Sequence, residues 1–573
     1  MFSRIIWMGF LLLPLASAAQ TTRFETSRGT ETATYAETIR FYEDLDRKYT
    51  TIAMDEAGPS DTRYPLEVVY FSGDANFDLD KWKRQNKIIL LINNGIHPGE
   101  PDGIEACKML LRDAASGKIA VPGNVVLAVV PVFNIGGALN RNSRSRANQL
   151  GPKEYGFRGS AQNLDLNRDF VKMDARETRS LVKLFHLLDP DIFIDNHVSN
   201  GADYQHVMTL LAGQHNKLGG RSGRFMHNVI EPLLYRDMKA QGYDMVPYVN
   251  HFGNTPERGW QEFYDSPRFS SGLPALFQTM AFVPETHMLK PFKQRVEATY
   301  ALMLSFISVA SEKAGEIKSA RDYDRRALMS QSVFPLDWKV DTAQYELVNF
   351  KGYEASYKKS KVSGQPRLFY DRGKPYTRKV KYHNTYTGVK KVTAPRAYVI
   401  PQGWHQVISL LKANDVQMQQ LEHDEVWNLS VYKIDKFETY PRPYEKHYYH
   451  HGVTVTKERQ RIQLQEGDYI IYLDQPAKRY LVEVLEPTGP DALFAWNFFD
   501  AILQQKEHFS DYIFEDEAAE ILERNPGLKT ELKAKQKADT AFARNANAQL
   551  DFIYRKSAYY EPEHLRYPVF RLE

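Results

Sequence analysis

The sequence has very little cysteine and no long apolar run. Cys107 is the single cysteine among 573 residues, which excludes an intramolecular disulfide. No segment approaches the roughly 20 apolar residues that a membrane-spanning helix needs. Neither sign of charge is in excess, because 74 basic and 71 acidic residues leave a formal net charge of +3. We therefore expect a globular protein with no nucleic-acid partner and no transmembrane anchor.

The N-terminus has the pattern of a secretory signal peptide. A short basic start that ends at Arg4 precedes an apolar core of 11 residues, 5–15, and the small residues 16–19. Because this core is too short to span a bilayer, we predict a signal peptide over residues 1–19 that is cleaved near Ala18 or Ala19. Export without disulfides favours a secreted or periplasmic bacterial protein.

The rest of the chain divides by composition and pattern. Its length predicts two or more domains. Residues 20–34 are mostly polar, which predicts a flexible leader. Residues 35–315 alternate apolar, strand-like segments with amphipathic, helix-like ones, which predicts an α/β sheet flanked by helices. Residues 320–573 predict a C-terminal accessory region that is β-rich to about residue 490 and helical beyond it.

One turn in the α/β region carries a candidate metal ligand pair. The apolar run 88–92 reads as a buried strand, and the proline and glycine residues of 98–103 force a sharp turn before a helical pattern begins. His97 and Glu100 lie on this turn, at the carboxyl end of a strand, where ligands bind in α/β sheets. An imidazole and a carboxylate three residues apart can converge on one ion and suit zinc. Alone, this spacing is common by chance.

Two further strand ends supply the missing partners. His197 follows the apolar run 192–194, and Glu285 follows the apolar run 280–283. Two imidazoles and one carboxylate form the ligand set of an open catalytic zinc site. A second carboxylate close by could act as general base.

Polar residues between these strand ends fit the same chemistry. Arg144, Arg168 and Asn167 could bind a carboxylate and stabilise a developing oxyanion. Asp165 could accept a hydrogen bond from a ligand imidazole and so fix its tautomer.

Three motifs and two strand ends follow one another over residues 35–312: His97-Pro98-Gly99-Glu100, Asn140-Arg141-x-x-Arg144, Asp165-x-Asn167-Arg168, His197 and Glu285. This ordered set resembles the M14 zinc carboxypeptidase family. The resemblance implies a mixed, mostly parallel central sheet and a zinc carboxypeptidase domain over residues 35–315. We expect a secreted bacterial type with a C-terminal extension.

The resemblance also assigns roles. It implies one zinc ion with His97, Glu100 and His197 as ligands, and Glu285 as the general base that activates the metal-bound water. Arg144 would hold the oxyanion of the scissile carbonyl.

For the substrate, the resemblance implies that Asn167 and Arg168 grip the C-terminal carboxylate of a peptide. Asp165 matches the aspartate that supports a zinc ligand. A tyrosine on a mobile loop would be Tyr264, with Tyr248 as a rival. The position that sets specificity falls near Ser270, with Arg268 and Ser271 as neighbouring candidates.

The predicted function is hydrolysis of the C-terminal peptide bond of peptides or proteins. Two alternatives use the same metal set: an amidase acting on cell-wall peptides, and a zinc deacylase of the aspartoacylase type. A non-enzymatic binding protein built on an inactive site would lack a ligand or the base, and the sequence lacks neither.

Overall fold

The computed structural model describes residues 20–573, and a mixed eight-stranded sheet lies at its centre. The order is β1-β2-β4-β3-β5-β9-β6-β7. The middle strands β4, β3, β5 and β9 run parallel. Their bounds are β1 (Ile52–Gly58), β2 (Leu66–Ser72), β3 (Ile88–Asn94), β4 (Val125–Val130), β5 (Ile192–Ser199), β6 (Met208–Ala212), β7 (Val246–Pro247) and β9 (Met280–His287), while β8 (Trp260–Gln261) belongs to another sheet. The predicted α/β fold with a mostly parallel central sheet is confirmed.

Helices cover both faces of this sheet. They are α1 (Arg23–Thr26), α2 (Tyr35–Lys48), α3 (Leu79–Arg84), α4 (Asp102–Ala115), α5 (Ile135–Leu139), α6 (Arg176–Leu188), α7 (His215–Leu218), α8 (Gly220–Phe225), α9 (Glu231–Ala240), α10 (Phe292–Glu312) and α11 (Ala314–Ser330). Side chains of β3 alternate between two hydrophobic clusters, with Leu90 in the cluster of α4 and α10 and Leu91 in the cluster of α6. Every residue of β3 is therefore buried, as in parallel sheets covered on both faces.

Residues 20–34, for which the sequence predicted a flexible leader, pack against the rest of the chain. Thr22 and Glu25 form a capping box at the start of α1. Phe24 is buried against Phe292, with ring centroids 5.6 Å apart. Arg112 pairs with Glu25 at 2.6 Å. A single apolar anchor in a polar stretch leaves no periodicity in the sequence, which is why composition alone suggested flexibility.

The C-terminal region is β-rich and then helical. Its strands are β10 (Val333–Val340), β11 (Glu346–Lys359), β12 (Pro366–His383), β13 (Tyr386–Thr393), β14 (Ala397–Ile400), β15 (Gln419–Gln420), β16 (Glu425–Thr439), β17 (His450–Leu464), β18 (Tyr469–Tyr472) and β19 (Phe570–Leu572). Its helices are α12 (His405–Ala413), α13 (Lys478–Leu485), α14 (Asp511–Arg524), α15 (Pro526–Ala538), α16 (Thr540–Ala543) and α17 (Ala546–Tyr554). The strands form a six-stranded sheet, a two-stranded sheet, and a three-stranded sheet that includes β8.

The C-terminal region shares a hydrophobic core with the first part of the chain. The cluster of α6 also contains Leu276 and Tyr480, and the Phe277 and Tyr480 rings stack 5.6 Å apart. Helix α11 runs across the predicted boundary at residues 315–320. The two predicted regions therefore meet through an extensive apolar contact.

The predicted signal peptide lies outside the described residues. Within residues 20–573, no helix combines the length and the apolar character that crossing a membrane requires.

Candidate metal and substrate site

The predicted metal ligands and the predicted base meet at the carboxyl ends of three adjacent parallel strands. His97 and Glu100 lie on the turn between β3 and α4, where the backbone N–H of Glu100 donates to the His97 carbonyl at 2.8 Å. His197 lies in β5 and Glu285 in β9, and these two residues are direct register partners. The three strands β3, β5 and β9 are neighbours in the sheet, so residues up to 188 positions apart in sequence converge.

The three candidate ligands present a donor set that fits zinc. One donor atom from each of His97, Glu100 and His197 lies within 4.8 Å of the others. The Nδ1 atom of His97 is 3.3 Å from Glu100 Oε1, and the Nδ1 atom of His197 is 3.1 Å from Glu100 Oε2. The buried Nδ1 atom of His97 has no hydrogen-bond partner. Two imidazole nitrogens and one carboxylate that converge in a buried position suit a zinc ion.

In each of the two histidines, a carboxylate lies within hydrogen-bond distance of the second ring nitrogen, Nε2. Asp165 Oδ1 is 2.9 Å from His97 Nε2, and Asp195 Oδ2 is 2.8 Å from His197 Nε2. A carboxylate favours a proton on Nε2 and leaves the Nδ1 lone pair for a metal. Asp165 is the residue that the sequence suggested for this contact. Asp195 was missed, although its position two residues before His197, on the same face of a strand, could have revealed it.

Electrostatics keep Glu100 ionised. Burial opposes the charge, yet the Arg146 guanidinium and the two imidazoles hold the pKa of the Glu100 carboxyl well below its usual range. In the same cluster the carboxylates of Asp195 and Glu100 outweigh the effect of burial and raise the pKa of His197 well above its usual value.

The pKa of Glu285 is shifted in the opposite direction from that of Glu100. Burial raises the pKa of its carboxyl to about 8, and the nearby Glu100 charge adds to the rise. Its Oε2 atom has no hydrogen-bond partner. A carboxylate with a raised pKa and a free oxygen in a cavity can accept and return a proton near neutral pH.

Two arginines other than Arg144 reach the ligand cluster. Arg146 Nη1 is 2.7 Å from Glu100 Oε1. Arg158 donates from Nε and Nη2 to Asp165 Oδ2, at 3.0 and 2.8 Å. Both arginines line the cavity next to the ligands, and neither is marked by a motif in the sequence.

The structure does not bring Arg144 to the site. Arg144 is exposed and is absent from the residues that line the cavity. Its backbone N–H donates to Asn142 Oδ1, which folds the loop so that Arg146 points inward instead. The loop has no periodic pattern, so the spacing of its arginines could not identify the one that faces the ligands.

Asn167 and Arg168, the predicted carboxylate-binding residues, both line the cavity. Both lie on a short 3-10 turn, Leu166–Arg168, that Asp165 caps with its side chain. The Arg168 guanidinium lies 4.5 Å from the centre of the Phe269 ring. Asn167 Oδ1 accepts a hydrogen bond from the Ser270 backbone at 2.9 Å. The turn therefore presents one amide and one guanidinium to the cavity.

Tyr264 lies away from this cavity. It stacks on Tyr386, with ring centroids 5.7 Å apart, and does not line the cavity. The rival Tyr248 does line it. Burial and the nearby Glu285 carboxylate raise the pKa of Tyr248 well above its usual value, so its hydroxyl keeps its proton. The loop carrying both tyrosines lacks a motif, so spacing alone could not choose between them.

The three specificity candidates have different environments. Ser271 lines the cavity. Ser270 instead donates from Oγ to Asp195 Oδ2 at 2.5 Å. Arg268 pairs with Asp491 of the C-terminal region at 2.7 Å. Ser271 is therefore the candidate that a bound substrate can touch.

The cavity itself has a volume of about 520 Å3. Beside the charged residues, it has an apolar part lined by Leu211, Phe263, Phe269 and Val283. Leu211 and Val283 are register partners on β6 and β9, and Val283 precedes Glu285 by two positions on the same strand face. An apolar wall thus adjoins the candidate base.

Similar proteins were found among both curated sequences and solved structures, whereas no family model matches the chain. Carboxypeptidase 2 of Trichophyton rubrum is 22% identical over 492 residues, which cover 81% of this chain and 84% of that protein. Carboxypeptidase 2 of Trichophyton tonsurans is 21% identical over 429 residues, or 71% and 73% of the two chains. These relatives are fungal, so they give no support to the predicted bacterial type.

Among solved structures, the metallo-carboxypeptidase from Burkholderia cenocepacia is 13% identical with a TM-score of 0.36, covering 48% of this chain and 69% of that one. The carboxypeptidase A from Helicoverpa armigera is 13% identical with a TM-score of 0.37, covering 50% and 74%. TM-scores this low place no constraint on function.

Proposed function

We propose that this protein is a zinc metallocarboxypeptidase that hydrolyses the C-terminal peptide bond of peptides or proteins. One observation carries the proposal: a metal donor set, an unpartnered carboxylate and an amide–guanidinium pair line the same cavity. The fungal relatives support it, because they are named carboxypeptidases and align over most of their length.

His97, Glu100 and His197 would hold the zinc ion. When bound, zinc in such a site acts as a Lewis acid on a carbonyl oxygen and lowers the pKa of water. Asp165 and Asp195 would keep both imidazoles oriented, since each accepts from the Nε2 side.

Glu285 would take the proton from the attacking water and deliver it to the leaving amine. Its raised pKa of about 8 in the metal-free protein fits a group that alternates between base and acid. Val283 and Leu211 form an apolar wall beside it.

The basic residues would recognise the substrate. Asn167 and Arg168 would bind the terminal carboxylate through an amide and a guanidinium, the geometry that suits a carboxylate. Arg158 would stabilise negative charge on the scissile carbonyl, because its guanidinium lines the cavity and lies 3.6 Å from Glu100. Tyr248 would donate a hydrogen bond from its hydroxyl to the bound peptide.

A zinc deacylase remains the second candidate, because it would use the same ligands and would also bind a carboxylate. None of the relatives reported above is named for cell-wall peptides, so an amidase of that kind has no support beyond the predicted export. An inactive binding protein would lack a metal ligand or the base, and this chain has the three candidate ligands and Glu285 in one cavity. Secretion through the N-terminal segment is part of the proposal.

The test uses the zinc-loaded protein and three substrates: a ten-residue peptide, the same peptide with an amidated C-terminus, and an N-acetylated amino acid. Mass spectrometry should show stepwise loss of C-terminal residues from the free peptide and little change in the others. Glu285→Gln should abolish turnover and keep zinc bound. Preferred cleavage of the N-acetylated amino acid would favour the deacylase, and internal cleavage of the amidated peptide would contradict the proposal.

A further inference from the structure

One tight turn of the C-terminal region contacts a segment of the candidate site. Strands β16 and β17 pair as far as Thr439 and His450, and the hairpin continues to a turn over residues 444–447. Tyr444 and His447 exchange backbone hydrogen bonds, with N–O distances of 2.8 and 3.1 Å. We call residues 444–447 the hairpin turn.

The two central residues of the hairpin turn have unusual backbone conformations. Glu445 has φ of 47° and Lys446 has φ of 76°. Positive φ at both central positions is the pattern of a type I′ turn, which strongly prefers asparagine and glycine. Glutamate and lysine adopt this backbone conformation at a cost in conformational free energy, which contacts with the surroundings must offset. Both side chains point toward the same neighbouring segment.

That neighbouring segment carries part of the substrate site. The backbone N–H of Asp165 donates to Glu445 Oε2 at 2.8 Å. Asp174 pairs with His447 Nε2 at 2.8 Å and lies 3.5 Å from Lys446 Nζ. The hairpin turn thus holds residues 165–174 at both ends, and we call them the clamp segment.

The residue that Glu445 contacts, Asp165, also makes several interactions within the site. The Asp165 side chain accepts from the Asn167 backbone at 3.0 Å and from Arg158 at 2.8 Å, and it contacts His97 Nε2 at 2.9 Å. A shift of the Asp165 backbone would therefore move the partner of a metal ligand and the residues beside it together. Glu445 is the side chain of the C-terminal region that accepts from this backbone N–H.

We propose that Glu445 is a positioning residue of the candidate site, which fixes the clamp segment and through Asp165 orients the His97 imidazole. The inference rests on the proposed function for its catalytic consequence. It gives residues 320–573 a direct role: the accessory region supports the site through the hairpin turn, and Glu445 makes the contact at Asp165.

Glycine tests this role without straining the turn. Glu445→Gly removes the acceptor and suits positive φ, so the variant should fold. Glu445→Gln keeps an acceptor oxygen and removes the charge. The matched control is Glu466→Ala, because Glu466 is an exposed glutamate of the same region that makes no side-chain contact to the clamp segment.

Zinc affinity is measured by competition with a chelator, and hydrogen exchange is followed at the peptide containing Asp165. Glu445→Gly should weaken zinc binding about threefold to tenfold, somewhat less than the loss of a direct carboxylate partner. It should also speed exchange of the Asp165 amide and raise KM for peptides more than it lowers kcat. Glu445→Gln should stay within about twofold of the native protein, because the hydrogen bond survives.

Two results would overturn the inference. Glu445→Gly could match Glu466→Ala in zinc affinity and in exchange, which would show that the contact does not position Asp165. Alternatively, Glu445→Gln could be as impaired as Glu445→Gly, which would make charge and not hydrogen bonding the cause. If the native protein neither binds zinc nor cleaves peptides, the proposed function fails, whereas the exchange measurement still decides whether Glu445 holds the clamp segment.

Discussion

His197 and Glu285 lie side by side as register partners on adjacent parallel strands. The ladder between β5 and β9 therefore fixes the distance between a candidate metal ligand and the candidate base. Thr209 on β6 pairs with Glu285 from the other side, and its hydroxyl donates to the Glu285 carbonyl at 3.0 Å. Groups held by strands inside a sheet are more precisely placed than groups on loops. One candidate ligand and the candidate base thus rest on the rigid core, whereas His97 and Glu100 lie on the turn that follows β3.

Asp195 provides the first prediction. Its carboxylate contacts His197 Nε2 at 2.8 Å and accepts from Ser270 Oγ at 2.5 Å. Asp195→Ala should weaken zinc binding about 10- to 100-fold, because the His197 tautomer and ring orientation are no longer held. Zinc competition with a chelator measures the loss. Ser270→Ala, which removes one hydrogen bond and leaves the carboxylate, should have a smaller effect, and equal losses would argue against the role of Asp195.

The strand-end residues were predictable from the sequence for a physical reason. Buried parallel strands appear as short apolar runs, and ligands gather where such strands end. His97, His197 and Glu285 each follow such a run, so their convergence could be inferred without any structure. The capped turn with Asp165 and Asn167 was also recognisable, because its residues are contiguous.

The loop residues were not predictable in the same way. Arg144, Arg146 and Arg158 lie in a stretch without periodicity, and hydrogen bonds of the folded loop decide which of them faces the ligands. The choice between Tyr248 and Tyr264 likewise depends on packing against a distant residue, Tyr386. Contacts between segments that are far apart in sequence carry no local pattern, and this also hid the link between the clamp segment and Glu445.

Arg158 and Arg144 give the second prediction. Arg158→Ala should lower kcat/KM about 100- to 1,000-fold, the usual cost of removing one donor that stabilises developing negative charge. Arg144→Ala should change it less than about twofold, because exposed substitutions away from a site have small effects. Steady-state kinetics on one peptide measures both.

A control is needed because Arg158 also binds Asp165. Zinc content of Arg158→Ala should be measured in parallel, and kinetics compared at saturating zinc. The reverse order, with Arg144→Ala the more damaging, would restore the assignment made from the sequence.

Arg168 gives the third prediction, which concerns the substrate terminus. Arg168→Ala should raise KM about 10- to 100-fold for peptides with a free C-terminus, because it removes a charge-assisted hydrogen bond to the carboxylate. Amidated peptides, for which we expect weak binding to the native protein, should lose little further affinity. Competitive inhibition by free and amidated peptides measures the two affinities. An equal loss for both would mean that Arg168 does not recognise the carboxylate.

The preferred C-terminal residue is the fourth prediction. Leu211, Phe263, Phe269 and Val283 form the apolar part of the cavity, and Ser271 is a small residue beside them. Among the described residues that line the cavity, the carboxylates are Glu100 and Glu285. Glu100 is the proposed metal ligand, and Glu285 is the proposed general base. A C-terminal lysine would bury its ammonium without a partner, which is costly, whereas leucine or phenylalanine would gain from burial. We expect kcat/KM to favour C-terminal leucine and phenylalanine over lysine by about 100-fold.

Ser271→Asp tests which residue sets this preference. A carboxylate at position 271 would give a C-terminal lysine or arginine a charge partner inside the cavity, so the ratio of kcat/KM values should shift toward basic residues by about 10- to 100-fold. Ser270→Asp serves as the contrast, because Ser270 faces Asp195 and not the cavity; it should disturb the support of His197 without creating basic specificity. Peptides that differ only in the last residue, assayed in competition, give the ratio directly. A native preference for lysine, or a Ser271→Asp variant that keeps its apolar preference, would show that the substrate side chain binds outside this part of the cavity.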